Sequence, residues 1–181
     1  KWAYDLCATH ITMEAMFHAS SFNQDISNWN VTNVTNMIGM FSQSSFNYPL
    51  NLWNVTNVTN MEHMFILTRF NYPLNLWNVT NVTNMENMFA YSSFNQDISN
   101  WNVGAVTDMS GMFAYSAFEN SGINIPTITS EILAIEQWNK HISDKSGNDI
   151  SVNNMFADTS INLYNAITYD LSGWIVPPLW Y

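Results

Sequence analysis

The stretch FNQDISNWNVTNVTNMIGMF, residues 22–41, recurs along the chain at a fixed step of 24 residues. Residues 46–62 and residues 70–86 carry the same sequence, FNYPLNLWNVTNVTNME, and SSFNQDISNWNV occurs at residues 20–31 and again at residues 92–103. We call a set of positions that lie 24 residues apart a column. A fixed period of this size predicts a solenoid, because each repeat can bury its apolar face only against its neighbours.

The large apolar residues keep to fixed columns, which predicts one continuous core. All eleven methionines and all eleven phenylalanines fall in the Met and Phe columns when Met155 and Phe156 are counted as a late copy. A tryptophan column accompanies them, and in parallel repeats it would form one buried stack: Trp29, Trp53, Trp77 and Trp101.

Two apolar periodicities alternate inside a repeat. Trp29 and Val31 are separated by two positions, which is the spacing of a half-buried strand. The following stripe of Val34, Met37 and Met40 has helical spacing, and Thr59-x-x-Glu62 in the next repeat resembles a helix capping box. The pattern predicts an α/β solenoid of leucine-rich-repeat type, with one parallel strand near residues 28–32, 52–56, 76–80 and 100–104, each followed by a short helix near residues 36–42 and their equivalents.

The repeat divides the chain into four parts. Residues 1–21 form a degenerate first repeat or cap, and residues 22–118 hold four regular repeats and the start of a fifth. Residues 119–150 are an insertion with one predicted helix, from Ser130 to about His141. Residues 151–181 form a final degenerate repeat with an aromatic C-terminal cap.

Composition limits the classes of function. The chain has 181 residues, enough for one domain, and carries 14 acidic against 4 basic residues for a net charge of −10. The basic residues are scattered, so the sequence predicts neither nucleic-acid binding nor attachment to an anionic membrane surface.

Cys7 is the single cysteine, which leaves no intrachain disulfide. No apolar run approaches the roughly 20 residues that span a bilayer, and the start at Lys1 fits a mature product or part of a longer chain.

The sequence contains no motif of a known type of catalysis. We find no nucleophile elbow, zinc-protease helix, phosphate-binding loop or dinucleotide fingerprint. The four histidines share no metal-ligand spacing, and residues 144–149 are better explained as a polar turn than as a calcium loop. We therefore expect no catalytic residue, no metal site and no cofactor.

The iterated phrases FNQDISNWNV, NVTNM and MF resemble the BspA-like leucine-rich-repeat family of bacterial surface proteins, whose arrays also occur in mycoplasma lipoproteins, protists and giant viruses. The resemblance covers residues 10–118 strongly and residues 150–162 weakly. It implies a leucine-rich-repeat-type solenoid with a role in adhesion or protein binding. The chain departs from the usual leucine-rich pattern where that pattern has asparagine, since this slot holds valine at Val34, Val58 and Val82.

Polar columns on the outward strand positions are the predicted binding face. They present asparagine and threonine in the same order in successive repeats: Asn30, Thr32, Asn54, Thr56, Asn78, Thr80 and Asn102. One interpretation is structural, because in-register polar side chains bond along a stack and stabilise it. The other is that this flat, uncharged face binds a protein or glycan partner. Ice binding through the threonine array is a further alternative.

The same segment contains glycosylation sequons of the Asn-x-Thr type, at Asn30, Asn33, Asn54, Asn57, Asn78 and Asn81. Glycans on adjacent strands about 4.8 Å apart would collide, so at most a few sites would be occupied.

The sequence thus favours a non-enzymatic scaffold for protein binding or adhesion, at a cell surface or on a virion. The alternative is a structural subunit within a large assembly such as a capsid, with neighbouring subunits at the solenoid ends.

Overall fold

The computed structural model describes residues 11–98 and 100–117. Strand β1 (Ile11–Thr12) pairs in parallel with strand β2 (Val34–Asn36). The pairing continues as single parallel bridges along one asparagine column: Asn36 with Asn60, Asn60 with Asn84, and Asn84 with Asp108. Successive repeats therefore lie side by side in parallel, as the period predicts. The wider assignment to the leucine-rich-repeat solenoids stays a prediction.

Backbone hydrogen bonds join each repeat to the next at every second residue. The amides of Met37, Gly39, Phe41 and Gln43 donate to carbonyls of the following repeat, and the equivalent amides do so from Met13 to Tyr91, at 2.8–3.0 Å. The residues between them bond locally, since the amides of Met40, Ser42 and Ser44 donate to the carbonyl three positions earlier. Half of the amides in this segment thus hold the repeat together and half hold the stack together.

The helices predicted near residues 36–42 and their equivalents are not formed; the described residues contain tight turns there instead. Gly39 and Gln43 have φ angles of 56° and 56°, and the same two columns are left-handed in the other repeats. A left-handed residue every four positions cannot belong to an α-helix. The apolar stripe was nevertheless correct, because Val34, Met37 and Met40 are all buried and three-residue turns also place positions i and i+3 on one side.

The predicted capping box is also wrong. Asn60 Oδ1, rather than the Thr59 hydroxyl, accepts the hydrogen bond from the Glu62 amide at 2.8 Å. The Thr59 hydroxyl donates to the Thr35 carbonyl of the preceding repeat at 3.2 Å. This Asn column therefore makes the same short loop in each repeat, an Asx-turn, in which a side-chain oxygen replaces a backbone acceptor.

The strands predicted near residues 28–32, 52–56, 76–80 and 100–104 are turns as well. The Trp53 amide bonds to the Leu50 carbonyl at 3.0 Å, and the Val58 amide bonds to the Val55 carbonyl at 2.9 Å. The two-residue spacing of Trp53 and Val55 reflects the short link between these turns. Strand pairing falls a few residues later, on the column that contains Asn36.

The core is a set of aromatic and methionine stacks. Phe41, Phe65 and Phe89 lie in one stack, with ring centroids 5.5 and 5.6 Å apart, and a second stack runs through the Phe46 column at 6.2–6.3 Å. Three of the four predicted tryptophans are buried, and each indole N–H donates to a carbonyl of the preceding repeat at 2.8–3.0 Å. Trp29, in contrast, is 38% exposed, since no described residue covers its outer side.

Several predicted features lie outside the described residues. These are the outer part of the N-terminal cap with Cys7, the insertion of residues 119–150 with its helix, and the final repeat and aromatic cap of residues 151–181.

The tryptophan column offers a matched pair of stability tests. Replacing Trp53, which is 2% exposed, by Ala should lower the free energy of unfolding by roughly 3–5 kcal/mol, because it empties a packed site and removes an indole hydrogen bond. Replacing the half-exposed Trp29 by Ala should cost clearly less. Chemical denaturation of both variants measures the difference, and equal losses would contradict a stack that is buried at Trp53 and open at Trp29.

The left-handed glycines offer a second test. An added Cβ at Gly39 would meet the Ser42 Cβ at an ordinary 3.7 Å, whereas one at Gly111 would collide with Asn87 Oδ1. We expect Gly39→Ala to cost about 1 kcal/mol for its left-handed backbone and Gly111→Ala to cost more. Thermal melts of the two variants compare them. A smaller loss at Gly111 would show that Asn87 does not lie over that position.

Candidate binding face

The first asparagine column of the predicted face is exposed and held in a defined conformation. Asn30, Asn54, Asn78 and Asn102 each use the side-chain oxygen to accept the backbone amide two residues later, at 3.0–3.2 Å. This Asx-turn fixes the carboxamide by its oxygen. The amide nitrogens of these side chains form no hydrogen bond within the described residues, so each repeat offers a fixed donor to solvent.

The column does not form the axial ladder that the structural interpretation requires. Its bonds stay within one repeat, as in Asn78, whose oxygen accepts from both the amide and the hydroxyl of Thr80, the latter at 2.7 Å. Thr80 is exposed, while Thr32 and Thr56 are half-buried. The threonine part of the predicted face is therefore less accessible than the asparagine part.

The second asparagine of the NVTNVT segments at residues 54–59 and 78–83 has a structural task. Asn57 Nδ2 donates to the Thr32 carbonyl and Asn81 Nδ2 donates to the Thr56 carbonyl, both at 2.8 Å. These bonds cross from one repeat to the preceding one. They join the stack along its axis and use one of the two side-chain N–H donors of Asn57 and of Asn81, although both residues are exposed.

A third asparagine column was missed by the sequence analysis. The oxygens of Asn23, Asn47 and Asn71 accept the backbone amide of the next member of the column, at 2.8–3.3 Å. The signal was present in the sequence, because every phenylalanine of the Phe22 column up to Phe94 is followed by asparagine. This column, unlike the Asn30 column, is a polar ladder that runs along the stack.

The surface is acidic. The described residues contain six carboxylates and a single arginine, Arg69. Glu62 contacts His63 at 3.2 Å and accepts from Asn84 at 3.0 Å, which joins two repeats. Hydrogen bonds from the Ser27 amide and hydroxyl hold the pKa of the exposed Asp25 below its ordinary value of 3.8, so this carboxylate is ionised at neutral pH.

Neither a metal cluster nor a membrane span is found in the described part of the chain. Residues 11–98 and 100–117 bring no three His, Cys, Asp or Glu side chains together in a way that could hold a metal ion. No helix in the same residues has the length and apolar character needed to cross a bilayer.

Comparison with known proteins gives one result. The model of a family described as "Mycoplasma protein of unknown function, DUF285" matches residues 7–93 and, in a second overlapping match, residues 66–174. The chain belongs to this family. Neither the curated proteins nor the solved structures yielded a match. The two matches together cover most of the chain, and the family's unknown function leaves the role of this chain to be argued from its surface.

The two classes of sequon should differ in the folded protein. Asn54 presents an unengaged amide nitrogen, and Asn57 has its nitrogen bound to the Thr32 carbonyl. Treating the folded protein with a soluble glycosyltransferase that acts on Asn-x-Thr, and its sugar donor, should therefore modify Asn54 and Asn78 before Asn57 and Asn81. Peptide mapping by mass spectrometry gives the order. Unfolded protein is the control, since the preference should disappear there, and equal modification in the folded protein would contradict the hydrogen-bond assignment.

Proposed function

We propose that this DUF285 chain is a non-enzymatic repeat scaffold that binds a protein or glycan partner at a cell or virion surface, and that its array is a solenoid of the BspA-like leucine-rich-repeat type. The resemblance of its repeats to surface proteins supports the location. The absence of any catalytic motif in the sequence supports a binding role.

The observation that carries the proposal is the first asparagine column. Asn30, Asn54, Asn78 and Asn102 expose their side chains, and in each the oxygen is fixed by the backbone. A donor that is already oriented loses little conformational entropy on binding. Parallel bridges keep successive repeats in one register, so the donors form a row with the spacing of adjacent strands, about 4.8 Å. Such a row suits a partner with regularly repeated acceptors.

A structural role within an assembly is the second candidate, and the N-terminal edge favours it. Trp29 is 38% exposed there, and Met16 beside it is also exposed. The carbonyls of Glu14, Met16 and His18 occupy the positions that accept interrepeat bonds elsewhere, and they accept none from a described residue. An open row of acceptors beside exposed apolar side chains is a surface on which another chain segment can pair.

The binding proposal is tested by removing the amide donors while keeping the fold. Asn54→Asp and Asn78→Asp retain the oxygen that accepts the Thr56 and Thr80 amides, and they replace the exposed NH₂ groups with oxygen. The double variant should reduce adhesion of fluorescent beads carrying the protein to cultured cells by about tenfold, if each lost hydrogen bond contributes about 0.7 kcal/mol. Its melting temperature should stay within a few degrees of the wild type.

The matched control adds the same charge elsewhere. Gln43→Glu with Ser93→Asp changes two exposed positions outside the asparagine columns. The binding role requires that this control adhere like the wild type. If both double variants lose adhesion equally, the effect is general charge repulsion. If neither loses it and the protein self-associates as its concentration rises, the assembly role is favoured instead.

A further inference from the structure

Two exposed leucines stand at turn tips in the middle of the array. Leu52 is 79% exposed and Leu76 is 62% exposed, and each is the third residue of the turn that is closed by a tryptophan amide. The same column holds Asn28 and Asn100 in the flanking repeats, which is the residue type that solvent-exposed turns favour. Leucine at such a tip gives no turn-forming advantage and leaves apolar surface in water.

The leucines belong to a larger apolar patch of two repeats. Three positions before each leucine is an exposed proline, Pro49 or Pro73. The half-buried Tyr48 and Tyr72 that precede them pack against core phenylalanines at 6.4 and 6.2 Å between ring centroids. We call these six residues the Tyr-Pro-Leu patch: Tyr48, Pro49, Leu52, Tyr72, Pro73 and Leu76.

The patch has an acidic residue on each side. The proline column continues as Asp25 in the preceding repeat and Asp97 in the following one, and both aspartates are exposed. The two aspartates lie three repeats apart in one column, so three strand spacings separate them, a distance of about 14 Å. Arg69 is the one basic residue among the described residues. It precedes Phe70 in the chain, whereas the patch residues of that repeat follow Phe70.

The turn tips are held in place by side-chain bonds. Asn51 Oδ1 accepts the Leu76 amide at 2.9 Å, and Asn51 Nδ2 donates to Asn75 Oδ1 at 3.0 Å. The two tips are therefore tied to each other across the repeat boundary. A patch that is fixed before binding needs little ordering when a partner arrives.

We propose that the Tyr-Pro-Leu patch docks an extended, basic segment of a partner protein, with an apolar side chain over Leu52 and Leu76 and a lysine or arginine toward each of Asp25 and Asp97. In an extended peptide, residues i and i+4 face the same way about 13 Å apart, which matches the separation of Asp25 and Asp97 along their column. The middle residue, i+2, is then level with the boundary between the two repeats that carry the prolines and the leucines. The inference rests on the proposed binding role, but it uses a different surface from the asparagine column.

Charge selects this occupant over a second copy of the chain. The whole protein carries a net charge of −10, so two copies facing each other through acid-flanked patches would repel. The same acidity opposes nucleic acid and anionic lipid. A basic segment gains from both aspartates and covers the apolar centre.

The probe for this proposal is the peptide acetyl-Lys-Thr-Phe-Thr-Lys-amide, titrated into the ¹⁵N-labelled full chain. We expect amide shifts confined to the turns around Leu52 and Leu76. The double variant Leu52→Asn/Leu76→Asn should weaken binding at least about tenfold, since it removes the apolar contact. It should fold normally, because its tips then match those of Asn28 and Asn100.

A second pair of changes tests the charges. Asp25→Asn keeps the oxygen that accepts the Ser27 amide, so Asp25→Asn/Asp97→Asn should fold, bind the peptide several-fold more weakly and lose most of the salt dependence. A peptide with Glu in place of both Lys residues should not bind. Asn54→Asp/Asn78→Asp should leave the patch competent for the Lys peptide, so failure of the patch and failure of the asparagine face are separable.

The proposal is overturned if the Lys peptide causes no shifts up to millimolar concentration, or if its shifts fall away from the patch. It is also overturned if the Glu peptide binds equally well, or if Leu52→Asn/Leu76→Asn binds like the wild type.

Discussion

The structure depends on how the backbone amides of residues 37–44, and of the equivalent residues in the other repeats, are divided between two sets of partners. Amides such as those of Met37, Gly39 and Phe41 donate to the next repeat, while the intervening ones close three-residue turns. A buried amide must find an acceptor, so a single repeat taken alone would leave half of this set unpaired. The repeats must therefore fold as a stack, with matching residues of successive repeats in one register.

That requirement explains why the core columns are uniform and why they were predictable. Each Phe of the Phe41 column stacks on its own equivalents, so a different side chain would disturb two neighbours at once. The period, parallel pairing and most of the buried residues followed from the sequence. The local conformation did not, because Val34, Met37 and Met40 have the same spacing in an α-helix and in a chain of three-residue turns. Only the left-handed backbone at Gly39 and Gln43 separates the two, and side chains such as His63 in the same column conceal it.

The polar columns were harder to interpret, because identical residue types have different tasks. Asn54 turns its oxygen to its own repeat, Asn57 gives its nitrogen to the preceding repeat, and Asn47 accepts an amide of the next. The sequence shows several asparagine columns and does not separate their tasks. Hydrogen-bond geometry favours the Asn30 column as the candidate face, because its side-chain bonds stay within one repeat and leave its amide nitrogens unused.

Exposed columns differ from the core columns in one respect that bears on function: they can change without breaking the stack. One turn-tip position is asparagine at Asn28 and leucine at Leu52, and both repeats form the same turn. A substitution there alters the surface and leaves the interrepeat bonds intact. The uniform core columns therefore mark what the fold needs, and the places where an exposed column changes chemistry, as at Leu52 and Leu76, mark where the surface is free to follow a partner. For a scaffold built from copies of one repeat, those departures carry information about binding that the repeated asparagine row does not.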